Sequence, residues 1–180
     1  MQEEQEFIQQ LLSPKTHNQA FQRLIADYQR PLYNHIRNIV LNHDDTDDVL
    51  QNTFIKVFQN LKNFKGESKL FSWMYRIATN EALTFLKQKS KISGISSETL
   101  QNKTLDNLEA DVFFDGNDIQ IKLQKAIALL PEKQQLIFKM KYFEELKYEE
   151  ISEILGTSVG GLKASYHIAV KKIEAFVSTN

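Results

Sequence analysis

The chain has 180 residues, no cysteine, and 22 Lys and Arg against 23 Asp and Glu, for a formal net charge of -1. Zero cysteine excludes disulfides, thiol catalysis and cysteine metal sites, and agrees with a cytosolic setting. The near-neutral balance gives no global basic signature, so a nucleic-acid surface has to be local.

Other classes are narrowed by residue type. His17, His35, His43 and His167 are scattered without ligand spacing, and the six glycines form no phosphate-cradling loop. The N-terminus, Met1-Gln2-Glu3-Glu4-Gln5-Glu6, is acidic where a secretory signal is basic, and no apolar run approaches bilayer length. The expectation is a cytoplasmic protein with no metal, no cofactor, no membrane insertion and no catalytic constellation, hence not an enzyme.

In chain order, the spacing predicts a first helix from about Glu4 to Leu12, stopping at Ser13-Pro14. A second runs from about Asn18 to Leu41, with Phe21, Leu24, Ile25, Tyr28, Leu32, Ile36 and Ile39 as its buried stripe. Pro31 interrupts that stripe and predicts a kink or break, because proline lacks the N–H and clashes with the preceding turn. His43-Asp44-Asp45-Thr46-Asp47-Asp48 opens a third helix whose carboxylates favour the N-terminal dipole. Its core face is Leu50, Phe54, Val57, Phe58 and Leu61, which leaves Asp48, Gln51 and Asn52 on another side. A calcium loop is the alternative for the acids, but the glycine and distal glutamate are missing.

Phe64-Lys65-Gly66-Glu67-Ser68-Lys69 is a short basic loop entering a fourth helix dense in aromatics. Phe71, Trp73 and Tyr75 cannot all face one core, and aromatics interleaved with Lys65, Lys69 and Arg76 suit single-stranded nucleic acid: stacking for bases, cations for phosphates. Packing remains the other reading of Trp73, which shares a face with Ile77 and Asn80. From Lys56 to Lys91 there are eight Lys and Arg against Glu67 and Glu81, whereas from Gly94 to Asp118 six acids face only Lys103. A cationic surface followed by an acidic tether fits this pattern, and two solvated faces without a partner fit it too. Residues 90–117, rich in Ser, Asn, Thr, Asp and Gly, read as a flexible acidic linker between domains at 1–89 and 118–180. Its Val112-Phe113-Phe114 cluster either docks locally or awaits a partner.

After Leu130-Pro131 the chain spells a helix-turn-helix. Ile151, Ile154 and Leu155 share a face, Gly156 stands where a left-handed cap is wanted, and Ser158 caps the next helix. On that helix Val159, Leu162, Tyr166, Ala169 and Ile173 face inward, leaving Gly161, Lys163, Ala164, Ser165, His167 and Ile168 outward for a DNA major groove. A plain helical hairpin has similar spacing.

Two longer motifs narrow the choice. Asp47, Asp48, Gln51, Thr53 and Phe54, followed by Phe64, Gly66, Ser68, Trp73, Arg76, Ile77, Ala78 and Asn80, and then Leu130-Pro131 with Tyr148, Glu150, Ile151, Glu153, Leu155 and Gly156, resemble the extracytoplasmic-function sigma factors of bacterial RNA polymerase. The resemblance covers nearly the whole chain. It implies an all-α protein of two small domains, a sigma domain 2 bundle and a sigma domain 4 helix-turn-helix, that directs core polymerase to promoters in transcription initiation.

By position, the resemblance implies that Asp48, Gln51 and Asn52 dock on the polymerase β′ subunit. It places Asn63, Lys65, Gly66, Ser68, Lys69, Trp73, Arg76 and Asn80 around a base flipped from the minus-10 non-template strand. Minus-35 duplex then falls to Ser158, Gly161, Lys163, Ala164, Ser165, His167, Lys171 and Lys172, with domain 4 resting on the β subunit flap and the linker threading toward the RNA exit channel. Promoter DNA and core polymerase are the expected partners, and an anti-sigma factor is a further candidate.

Three departures bear on mechanism. Ser165, Ile168 and Val170 stand where the family often has arginines, which removes bidentate guanine readout there. Met74 stands where primary sigma factors have a second tryptophan for prising open the duplex. Lys147 replaces a capping Ser or Thr, a loss of about 1 kcal/mol unless another group substitutes. A stand-alone helix-turn-helix regulator, a helical adaptor and a small nuclease are the other classes. Respectively, they leave the aromatic basic loop unexplained, leave both basic faces idle, and lack a carboxylate or histidine cluster.

Overall fold

Helical periodicity and local caps account for each element of the computed structural model, which describes residues 2–94 and 118–179. Among these residues are α1 (Gln2–Leu12), α2 (His17–Val40), α3 (His43–Asn60), a 3-10 turn (Leu61–Asn63), α4 (Leu70–Ser93), α5 (Asp118–Ala128), α6 (Glu132–Tyr142), α7 (Tyr148–Leu155) and α8 (Val159–Thr179). The architecture is all-α. Of the linker expected at 90–117, residues 90–93 are the last turn of α4 and Gly94 caps it in the left-handed region. The remainder, including Val112-Phe113-Phe114, lies outside the described residues.

Of the kink or break expected at Pro31, the break does not occur. α2 is assigned as one helix through Pro31, with no break. Pro31 and Asp27, whose carbonyl loses its helical donor, are both exposed, so the missing N–H strands no buried group. Leu24 and Leu32 on either side are fully buried.

The cap of α3 is Asn42 rather than the aspartates. Its side chain accepts from the Asp45 N–H at 2.9 Å, and Thr46 Oγ1 donates to its carbonyl. Val49, Leu50, Val57 and Leu61 are buried, but Phe58 is 48% exposed, against the expected core face. It packs edge-on to Phe21 at 5.0 Å instead. Thr53 is buried on the core side of α3, where its hydroxyl donates to the Val49 carbonyl at 2.8 Å.

α4 begins at a carboxylate from a distant element: Glu4 Oε1 accepts from the Leu70 N–H at 2.9 Å, a negative charge at the positive end of the helix. The three aromatics are accommodated because α4 lies between two cores. Tyr75 and Phe71 pack as tilted rings 4.1 Å apart in the core that also holds Ala78 and Ala82. Trp73 packs on Phe64 at 5.0 Å beside the other, which contains Leu11, Leu24, Leu70 and Met74.

In the second half, Gln135 Nε2 donates to the carbonyls of Leu130 (2.8 Å) and Ala128 (3.2 Å), tying the α5–α6 turn. Gly156 adopts φ +63 and its N–H returns to the Ser152 carbonyl, while the Gly161 N–H donates to Ser158 Oγ at 3.3 Å. The helix-turn-helix is therefore formed as its sequence requires. Lys147 has no side-chain cap to offer, and Glu150 acts in part for it by accepting the Lys147 N–H at 3.0 Å.

The halves share one core. Leu136, Ile137 and Met140 of α6, Ile151 and Ile154 of α7 and Leu162 of α8 pack in the same cluster as Leu32 and Ile36 of α2 and Ala82 and Leu86 of α4. Burying an aliphatic side chain contributes about 1.5–3 kcal/mol, against about 0–1 kcal/mol for an exposed ion pair. The seam is therefore held mainly by apolar surface.

Candidate nucleic-acid interface

Three surfaces carry the residues singled out in the sequence. On α3, Asp48, Gln51 and Asn52 are all exposed. Gln51 lines an apolar groove of about 580 Å³ with Phe21, Ile25, Phe54, Ile55 and Phe58, whereas Asp48 and Asn52 do not line it. Ile55 and Phe58 are each 48% exposed there, an apolar area beside polar groups of the kind that marks a docking face.

The second surface is built by the 3-10 turn, the loop and the start of α4. Asn63, Lys65, Ser68, Trp73 and Arg76, with Phe64 and Glu67, surround a cavity of about 390 Å³. Gly66 turns the loop at φ +71, a conformation other residues rarely adopt, and a Cβ there would meet nothing within 4 Å, so the glycine serves the backbone rather than a close approach. Lys69 is exposed at the N-terminus of α4, and Trp73 offers a half-buried ring with its back against Phe64. Asn80 is exposed one turn beyond Arg76 but does not line the cavity. Met74 is fully buried, so it cannot reach a strand without unpacking its core.

The third surface is the outward side of α8. Ser158, Lys163, Ala164, His167, Lys171 and Lys172 are exposed, and Gly161 and Ser165 are half-buried. Two lysines are already occupied: Lys163 Nζ sits 5.7 Å above the Tyr148 ring, and Lys172 Nζ lies 3.3 Å from Gln134 Oε1. Ile168 is 46% exposed on the same side.

Sequence reading missed the residues that join the two halves. His35, buried on α2, places Nδ1 at 2.9–3.0 Å from both Glu144 carboxylate oxygens and Nε2 at 2.8 Å from Thr79 Oγ1. Lys139, also buried, has its pKa lowered to about 8 by desolvation, partly opposed by Glu144. Tyr75 is shifted upward, mainly by burial and then by Glu144. A histidine inside the apolar stripe of α2 was the one available signal, and it named no partner. Among the described residues no helix is long and apolar enough to cross a membrane.

Comparison with known proteins adds to this geometry. The family profile "Sigma-70 region 2" matches residues 24–92 and "Sigma-70, region 4" matches residues 120–173. The ECF RNA polymerase sigma-E factor of Haemophilus influenzae is 29% identical over 163 residues, which is 86% of this chain and 86% of that one. In fold, the chain is similar to CnrH, solved in complex with the cytosolic domain of CnrY, at TM-score 0.71, 17% identity and 98% of each chain. It is also similar to the sigma factor RpoE of Bartonella quintana, solved with the anti-sigma factor NepR, at TM-score 0.65, 16% identity, 89% of this chain and 98% of that one.

Proposed function

The chain belongs to the sigma-70 family, as an extracytoplasmic-function sigma factor of RNA polymerase, and from that premise we propose that it reads promoters through two separate DNA contacts. The observation that carries the reading is the cavity beside the 63–70 loop, lined by the aromatic rings of Phe64 and Trp73 and by the cations Lys65 and Arg76. A base flipped from the minus-10 non-template strand loses its stacking, a cost of a few kcal/mol. Trp73 and Phe64 offset it by about 1–3 kcal/mol of aromatic contact, and Lys65, Lys69 and Arg76 hold the phosphates on either side.

The minus-35 element is taken as duplex by α8. Lys163, Ser165 and His167 address base edges, and Lys171 and Lys172 address phosphate, with Gly161 and Ala164 allowing close approach and Ser158 holding the helix start. Core polymerase docks on α3 through Asp48, Gln51 and Asn52 against β′, with the apolar groove beside Gln51 widening the contact, and the helix-turn-helix half rests on the β subunit. The protein works in the cytoplasm, contributes no catalysis of its own, and is open to control by an anti-sigma factor.

The test is reconstitution with core polymerase, transcript mapping on genomic DNA and a permanganate footprint of a mapped promoter. Ser68→Ala with Lys69→Ala should impair strand opening on closed template several-fold and recover only partly on a template already mismatched at minus-10. If the double variant opens both templates as the wild type does, residues 63–70 hold no base.

A further inference from the structure

The peptide group joining Lys69 to Leu70 is held at both ends. Its N–H donates to Glu4 Oε1 at 2.9 Å, and its carbonyl accepts the Trp73 N–H at 3.1 Å, the first main-chain bond of α4. Lys69 stands at the N-cap position and makes no side-chain bond to the helix, since an ammonium has no lone pair to offer an N–H. The oxygen that an N-cap Ser, Thr, Asp or Asn supplies comes instead from a carboxylate 66 residues away in the chain. The same face of α1 reaches the loop by apolar contact. Glu4, Phe7, Ile8 and Leu11 recur at helical spacing, and the last three pack in the cluster that holds Leu61 of the 3-10 turn and Phe64 and Leu70, at the two ends of the loop. All of α1 precedes residues 24–92, the stretch that the region 2 profile matches.

On the reading of residues 63–80 as the minus-10 site, we infer that Glu4 is a positioning residue for the captured base: by holding the Lys69–Leu70 peptide it sets where α4 begins, and hence where the Trp73 ring stands at the cavity, without itself touching DNA.

The link from Glu4 to the base is short. Trp73 is one helical bond from the clamped peptide, and its ring packs on Phe64 at 5.0 Å while both rings line the cavity. A shift in the start of α4 therefore moves the ring, and with it the face on which a base stacks. Without Glu4 the Leu70 N–H loses its fixed acceptor and the first turn of α4 frays, because Lys69 has nothing to put in its place. Lys65, Lys69 and Arg76 keep their charges, so attraction for phosphate persists while stacking is lost. This divides the role of Glu4 from that of the cations.

The experiment measures binding of a short labelled single strand, the minus-10 non-template strand of a mapped promoter, to core polymerase carrying the full-length protein. Affinity for core polymerase and for minus-35 duplex is measured alongside. Glu4→Ala should lose about fivefold in strand affinity, the scale of a lost helix cap, with the salt-dependence slope unchanged because no phosphate contact goes. Core and duplex affinity should stay at the wild-type values. Glu4→Gln keeps an oxygen for the Leu70 N–H and should restore most of the loss. Glu6→Gln makes the same charge change at an exposed position of α1 and should bind as the wild type does. Trp73 is the chain's single tryptophan, so acrylamide quenching of the free protein reports on its ring, and quenching should rise in Glu4→Ala but not in Glu4→Gln. Unchanged strand affinity in Glu4→Ala would overturn the inference. So would a loss shared equally by strand, duplex and core, which marks general destabilisation, or a Glu4→Gln variant as weak as Glu4→Ala, which denies the hydrogen bond. The minus-10 reading survives any of these if Ser68→Ala with Lys69→Ala still impairs opening by the polymerase-bound protein. If that double variant opens promoters normally, the minus-10 reading fails and the role of Glu4 fails with it.

Discussion

His35 and Glu144, 109 residues apart in the chain, meet across the seam between the two halves, with His35 Nδ1 at 3.0 and 2.9 Å from the two carboxylate oxygens. The imidazole is 1% exposed and the carboxylate 9%. Removing one partner leaves a buried polar group without its hydrogen bond, at a cost of about 1–3 kcal/mol. Here the loss is capped by parting of the halves, which returns Glu144 to water. We expect the wild type to melt in one calorimetric transition and His35→Ala to melt in two. A single transition in the variant would mean that apolar burial alone couples the halves.

Lys139 gives stability a pH dependence in the alkaline range. The folded protein releases its proton at about pH 8 and the unfolded chain at the ordinary 10.5, so between these values the unfolded state holds more protons and stability rises with pH. The full effect is about 3 kcal/mol. Tyr75, held neutral by burial, acts in the opposite sense above pH 10, where the unfolded tyrosine ionises first. Urea unfolding from about pH 8 to 10, the part of that window below the ionisation of unfolded tyrosine, should show increasing stability in the wild type. Lys139→Met should be flatter and more stable at neutral pH, and a wild-type slope in that variant assigns the effect elsewhere.

Docking on core polymerase is tested on α3. Asp48→Ala with Gln51→Ala should leave helicity intact, since both residues are exposed, and weaken core binding by about 1–2 kcal/mol, roughly tenfold. Phe58→Ala should weaken it as well by removing apolar area from the groove. Competition titration against a reference sigma factor measures both, and equal affinity would remove this face from the interface.

The lysines of α8 should differ from one another. Lys171 is exposed, so Lys171→Ala should weaken duplex minus-35 binding and lower the salt-dependence slope by about one. Lys163 must first leave the Tyr148 ring, and Lys172 must first leave Gln134, so their alanine variants should change the slope less. A salt titration of fluorescence anisotropy separates them, and an unchanged slope in Lys171→Ala would show that it makes no phosphate contact.

Much of the helical layout was legible because its signals are local. Gly156 needs a left-handed turn and Ser158 needs a free N–H three residues on, both satisfied within one turn of chain. The errors also have local causes. Four aspartates after Asn42 mask it as the cap, and helical period places Phe58 with the core because it cannot tell a buried position from one that borders a groove. Pro31 breaks the local pattern, yet the leucines buried on either side of it lie in one continuous helix. Phe71, Trp73 and Tyr75 looked too many for one core, and the resolution is that α4 serves two.

Caps, periodicity and the spacing of the loop motif relate residues a few positions apart, and so the order of residues sufficed for the helices, the helix-turn-helix and the family. Closure of the two halves is of another kind. Lys69 meets Glu150 across 81 positions, Arg76 meets Glu153 across 77, and His35 meets Glu144 across 109, separations no period or propensity encodes. Whether such groups meet depends on a shared apolar core outweighing the desolvation of buried charges, a balance of many terms of a few kcal/mol that is struck only when both halves are folded and in contact.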